Sequence, residues 1–181
     1  MQLLRGGWPS DNVRARNIET ARALDAEGFV FRGSTRDDAS AVTALVRAHL
    51  PGAGAFEYAA SDGAVVAEAP DGTVAGVAVV RASLSPEQRV LVQVRALVTA
   101  PAHRGRGTAS LALAVIPQVM GPDLSPQVVF GNAASEHATF FQRNGFDVLQ
   151  PGEKLTIGVP RDTLLAGATP GPYDTWFVRA R

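Results

Sequence analysis

The segment Arg104-Gly105-Arg106-Gly107-Thr108-Ala109 has the residue types of an anion site. A valine-rich alternating stretch precedes it and an apolar stretch follows, so it reads as a strand-to-helix turn. The first amides of a helix have no intrahelical partner, and their partial positive charge favours an anion. Glycines at 105 and 107 let the backbone approach a ligand and take positive φ. Arg104 and Arg106 add positive charge. This combination suits a pyrophosphate. A purely structural turn is the competing reading, because glycine-rich turns between strand and helix are common. The segment lacks the Gly-Lys-Ser/Thr of a Walker A loop and the Gly-x-Gly-x-x-Gly of a dinucleotide-binding turn.

The elements around this turn are legible from periodicity. Gln88 to Thr99 alternates, with Val90, Val92, Val94, Ala96 and Val98 on one face and Leu91, Gln93, Arg95, Leu97 and Thr99 on the other. A helix is expected from Thr108 to about Ile116, kinked or ended by Pro117. Upstream, Phe29 to Arg32 reads as a strand, and Thr35 with Asp38 offers a capping pair. The helix that follows places Ala41, Leu45 and Leu50 near one face. Ala64–Ala69 and Thr73–Ala82 read as a hairpin about Pro70-Asp71-Gly72. Downstream, Gln127 to Phe130 is a short strand, and Ser135 or Asn132 can cap a helix running to Arg143. Phe146 to Leu149 and Thr175 to Val178 complete the strands. Helices interleave with strands, so the class is α/β or α+β with a mixed sheet. Residues 1–27 read as an N-terminal extension, with a break at Gly6-Gly7-Trp8-Pro9 and a helix from Asn17 to Glu27 closed by Gly28. The domain proper spans residues 28–181.

Composition narrows the class. The 181 residues are 46% hydrophobic and 19% charged, a balance that suits a globular core. Lys+Arg and Asp+Glu are both 17, giving no net charge and no basic excess of the kind nucleic-acid binders carry. No nucleic-acid partner is expected. No apolar run reaches the roughly 18 residues of a membrane span, and the start lacks a signal-peptide core. A soluble cytoplasmic protein without a membrane partner is the default expectation. There is no cysteine, hence no thiol nucleophile or thiolate metal site. His49 lacks a ligand-spaced partner, and His103, just before the phosphate turn, is a candidate to touch a nucleotide or else a solvated loop residue; no metal is expected.

The stretch Leu97-Val98-Thr99-Ala100-Pro101-Ala102-His103-Arg104-Gly105-Arg106-Gly107-Thr108-Ala109 resembles the signature region of the GNAT superfamily of N-acetyltransferases. The core pattern there, Arg/Gln-x-x-Gly-x-Gly/Ala, is met by Arg104, Gly107 and Ala109. Phe140-Phe141-Gln142-Arg143-Asn144-Gly145-Phe146 is similar to the family's second landmark, Phe-Tyr-x-x-x-Gly-Phe. The resemblance covers most of the chain after residue 27. It implies a splayed mixed sheet of six to seven strands flanked by helices, with acetyl-CoA as acyl donor in the gap beside the Leu97–Thr99 strand. Leu97, Val98 and Thr99 would bind the pantetheine arm and acetyl carbonyl. Arg104, Gly105, Arg106, Gly107, Thr108 and Ala109 would hold the pyrophosphate, and Asn132 and Phe141 would also contact the cofactor. The family reaction is direct transfer to an amine, the acceptor here being a small molecule or a protein N-terminus. Dimers are frequent in the family, and a homodimer is the corresponding expectation.

Departures from the pattern bear on catalysis. The family's usual general acid is the tyrosine of the second landmark, where this chain has Phe141. The Asn and Ala often found seven and four residues before it are Ala134 and His137. His137, one helical turn before Phe141, is the candidate replacement acid, with a surface histidine as the competing reading. Glu87 and Glu57 are the candidate bases, against ordinary surface charge. Arg95 and Gln93 lie on the cleft face of their strand. Arg95 would pair with a carboxylate or phosphate on the substrate, or else with an acid of this chain. Tyr58, Phe56 and Trp176 are candidates for the acceptor pocket or for ordinary packing. A non-catalytic acyl-CoA-binding domain is the alternative to an enzyme. A toxin-like acetylase of aminoacyl-tRNA is disfavoured by the neutral charge and by Phe141.

Overall fold

The computed structural model describes residues 10–85, 88–120, 126–157 and 169–180. Among these residues seven strands hydrogen-bond in the order β1-β2-β3-β4-β5-β7-β6. They are β1 (Val30–Gly33), β2 (Asp62–Glu68), β3 (Val74–Leu84), β4 (Val90–Thr99), β5 (Val128–Ala133), β6 (Asp147–Val148) and β7 (Thr175–Ala180). Four α-helices occur among the described residues: α1 (Asp11–Ala26), α2 (Ala39–His49), α3 (Thr108–Val119) and α4 (Ala138–Arg143). The sheet is mixed. β4 and β5 run parallel, whereas β1–β2, β2–β3, β5–β7 and β6–β7 are antiparallel. The expected class and strand number are those observed. No helix among the described residues is long and apolar enough to cross a membrane.

The chain forms two compact units. One comprises Arg14–Arg81 and Val94–Ser125. Its hairpin β2–β3 is covered on one face by α2, through Val42 and Val46, which are fully buried against Ala64, Val66, Val77, Val79, Ala96 and Val98. Burying each such valine stabilises by about 1.5–3 kcal/mol. The helix face thus centres on Val42 and Val46, an i,i+4 pair. Ala41 is exposed and Leu45 and Leu50 only flank the core, a correction to the stripe read from sequence. The other face meets α1 and α3, where Leu24, Phe29, Ala69, Ala75 and Leu111 pack together. Val13, Asn17, Ala21 and Leu24 recur every three or four residues along α1, and Leu24 is its deepest side chain.

The second unit comprises Met1–Val13, Ala82–Gln93 and Pro126–Arg181. β5 and β7 pair from Val128↔Ala180 to Ala133↔Thr175. Leu91, Val128, Phe130, Leu155, Trp176 and Val178 make its core on one side of these strands. Phe141 of α4 stacks on Phe177 at 3.8 Å between centroids, and Phe146 meets both rings edge-on.

Several boundaries moved. α1 starts at Asp11, earlier than Asn17, while Gly28 (φ 84°) does close the turn after it. α3 continues two residues past Pro117, whose missing amide removes a single helix bond. A 3-10 turn, Ser135–His137, precedes α4, and neither Ser135 nor Asn132 caps it. Instead the Ser135 amide donates to Asp174 at 2.7 Å. The break at residues 6–9 lies outside the described residues.

Candidate functional site

The turn between β4 and α3 is built by its neighbours. The Ala100 amide donates to Ala75 O at 2.8 Å, which ties the end of β4 to β3. Gly76 on β3 permits the close approach. A Cβ there would lie 3.1 Å from Val98 O and from Thr108 Cγ2. A 3-10 turn, Pro101–His103, then carries the chain to Arg104, whose Nε donates back to Thr99 O at 3.1 Å. Gly105 and Gly107 both take left-handed backbone, φ 77° and 85°. That conformation disfavours any residue with a Cβ.

Gly107 is the N-cap of α3, and no side chain caps that helix. The first intrahelical bond in the turn is from the Leu111 amide to Gly107 O at 3.0 Å. The amides before it face outward from the helix start, and α3 adds its dipole. Space above Gly105 is open, since a Cβ there would meet nothing within 4 Å. The hydroxyls of Thr99 and Thr108 are buried beside the turn without a protein partner among the described residues. Uncapped amides, an open glycine and an arginine fixed at its root form a cradle that fits a pyrophosphate. Leu97, Val98 and Thr99 lead into it along β4.

Arg106 is not a free cation. It pairs with Glu27 at the end of α1 and lies 6.0 Å over the Phe29 ring. Thr20 of α1 packs on Gly107, and His103 meets Phe29 edge-on at 5.4 Å. The segment at the N-terminus therefore buttresses the turn, a role for which its sequence carries no signal.

The remaining candidates separate. Arg95 pairs with Asp62, the intramolecular acid that competed with substrate in the sequence reading. Gln93 is half-buried and sits in register with Phe130. Tyr58 shares a 2.6 Å hydrogen bond with Ser34 Oγ and packs beside the α2 core. Glu57 is 82% exposed and faces Arg47 at 3.5 Å, an ordinary surface pair. Glu87 lies outside the described residues. His49 is half-buried at the end of α2.

In the second unit, Phe141 is 5% exposed within its aromatic stack, whereas the His137 side chain is 63% exposed beside Glu136. Sequence spacing put both on similar faces of one helix. His137 stands at the N-cap position of α4 and Phe141 inside the helix, and their side chains part, one to solvent and the other to the core. Asn132 packs under Gly171, with Nδ2 buried and unpartnered among the described residues. Trp176 belongs to the core.

No protein-family model matches the chain, and no curated protein does either. Solved structures do. Tetrahymena GCN5 superposes with a TM-score of 0.61 at 13% identity, covering 83% of this chain and 95% of that one. Arabidopsis thaliana NAA60 in complex with acetyl-CoA gives 0.60 at 14% identity, over 84% and 98%. The chain has the GNAT fold. It also matches the GCN5-related glucosamine N-acetyltransferase region of a fungal multi-domain GH3 β-N-acetylglucosaminidase, with a TM-score of 0.54 at 14% identity. That match covers 67% of this chain and spans 17% of the fungal one.

Within this GNAT fold, sequence reasoning missed Gly76, Asp62 and the α1 contacts. A glycine inside a valine-rich strand is the available signal for Gly76, because it marks close backbone approach. Asp62 opens β2 and carries no local motif.

Proposed function

We propose that the chain is a GNAT N-acyltransferase that takes acetyl-CoA as acyl donor and acetylates a primary amine of a small molecule or a protein N-terminus. The observation that carries this reading is the uncapped start of α3 behind two left-handed glycines. The pyrophosphate would be held by the amides from Gly105 to Ala109 and by the free end of Arg104. The pantetheine arm would lie along Leu97, Val98 and Thr99.

The neutral amine nitrogen attacks the thioester carbonyl, forming the C–N bond, and a β4 backbone amide stabilises the oxyanion. The C–S bond then breaks, the electron pair leaves with the CoA thiolate, and the amine proton passes to solvent. Phe141 has no proton to give. A thiolate leaves without one near neutral pH, since thiols titrate near 8.5.

Binding is tested by thermal denaturation against rising acetyl-CoA. A melting temperature that climbs with ligand supports the reading, and none at millimolar ligand sinks it. Thiol release across an amine panel then tests transfer. The second reading, a non-catalytic acyl-CoA-binding domain, is favoured by Phe141 in its aromatic stack. Ligand-dependent stabilisation without thiol release from any amine would select it.

A further inference from the structure

A charge cluster on β2, β3 and β4 lies outside the residues assigned above to the acyl donor. Asp62 opens β2 with its side chain fully buried. Its carboxylate accepts from Arg81 Nε at 2.9 Å, from Arg95 Nη1 and from the Ala59 amide at 2.9 Å. Asp62 and Arg81 are direct cross-strand partners in the β2–β3 ladder. One guanidinium would balance this carboxylate, yet two converge on it. The cluster therefore carries one positive charge in excess.

Both arginines stay within reach of solvent, with side chains 41% and 25% exposed for Arg81 and Arg95. Each spends a single nitrogen on Asp62, which leaves N–H donors on both forks. The Phe56 ring lies 5.2 Å from the Arg95 guanidinium centre. Anchored by a buried carboxylate and, for Arg95, by an aromatic face, these donors are ordered before any ligand arrives, which lowers the entropic cost of binding. Arg95 precedes Leu97 by two residues on β4, about 7 Å along the strand. It therefore stands next to the segment assigned to the thioester.

We propose that Arg95 and Arg81, held by Asp62, form an oxyanion-recognition pair that selects acceptor amines bearing a carboxylate or a phosphate. The proposal rests on the acyltransferase reading and names its acceptor class.

The test compares matched amines by thiol release. Amino acids are set against their carboxamides, and phosphorylated amino alcohols against the parent alcohols, so the two arms tell a carboxylate from a phosphate. The anionic member should lead in one arm by about tenfold or more in kcat/KM, as charge-assisted hydrogen bonds give. Arg95→Gln should erase that ratio through KM rather than kcat, Arg95→Lys should restore part of it, and Arg81→Gln, at a more exposed site, should lower it. Preference for the neutral member in both arms, or a ratio untouched by Arg95→Gln and Arg81→Gln, overturns the proposal. Should no amine release thiol, calorimetric titration of the same pairs decides. Anion binding that Arg95→Gln abolishes sustains the oxyanion site even where acetyl-CoA fails to bind, and no anion binding refutes it.

Discussion

Gly107 is where backbone conformation and packing both exclude a side chain. Its φ is 85°, and a Cβ would fall 2.6 Å from Thr20 Cγ2. Gly105 shares the conformation but faces open space. Gly107→Ala should therefore destabilise the fold more than Gly105→Ala. About 1 kcal/mol is expected for the latter, from left-handed strain alone, and roughly twice that for Gly107→Ala, where α1 must also give way. Thermal melts of the two variants side by side measure the difference.

Arg32 offers a second residue-scale test. It binds Asp38 at 2.8 Å and Glu68 at 2.8 Å. The bond from Arg32, with help from the Thr35 amide and hydroxyl, holds the Asp38 carboxyl well below the ordinary carboxylate range against the opposing effect of burial. Because the folded pKa is depressed, the stabilisation is fully present above the unfolded value of 3.8 and is lost as pH falls towards the folded one. Unfolding titrations between neutral pH and pH 2 should show a steep acid limb. Arg32→Gln should shrink that limb and lower stability at pH 7 by about 2 kcal/mol.

Among the elements, α1 is the one whose role only the structure reveals. Leu24 is 2% exposed and packs on Phe29, Ala75 and Leu111, the last from α3 itself. Leu24→Ala should cost about 3 kcal/mol, read as a lowered urea midpoint at constant slope. If α1 positions the turn, the same variant should weaken acetyl-CoA binding although Leu24 lies beneath the cradle and not in it. Glu27 acts just past the same end of this helix by holding Arg106. Glu27→Gln frees that guanidinium for the pyrophosphate, and acetyl-CoA affinity should rise a few-fold at low salt and less at high salt. Unchanged affinity would remove the Arg106 side chain from the ligand contacts.

At the scale of the whole molecule, ligand and fold are linked. Acetyl-CoA at 100 times its dissociation constant stabilises the native state by about 2.7 kcal/mol if the unfolded chain does not bind it. For a chain of 181 residues that corresponds to a melting-temperature rise of very roughly 5–10 °C. The formal charge is zero and the isoelectric point about 6.8, so self-association should be greatest near neutral pH. Light scattering across pH 5–9 reads this directly.

Much of the architecture was legible from local physics. Valine richness marks β3, period-two alternation marks β4, Pro70-Asp71-Gly72 marks the hairpin, and glycines 105 and 107 before an apolar run mark a helix start able to take an anion. Such features depend on neighbours within a few residues, where chirality, sterics and hydrogen-bond phase decide the conformation. His137 and Phe141 show where that reasoning stops, since one side chain is exposed and the other buried, and spacing alone does not disclose it. Long-range partners were beyond it altogether. Nothing near Asp62 in sequence points to Arg81 and Arg95, and nothing near Thr20 or Glu27 points to the turn some 80 residues later. Those contacts arise from strand pairing and helix docking, which bring distant residues together to bury apolar surface. The sequence by itself determined that Arg104 to Ala109 has the chemistry to cradle a pyrophosphate. Only the tertiary structure decided that Arg106 is tied to the end of α1, and that a doubly held carboxylate joins an arginine of β3 to one of β4 with charge to spare.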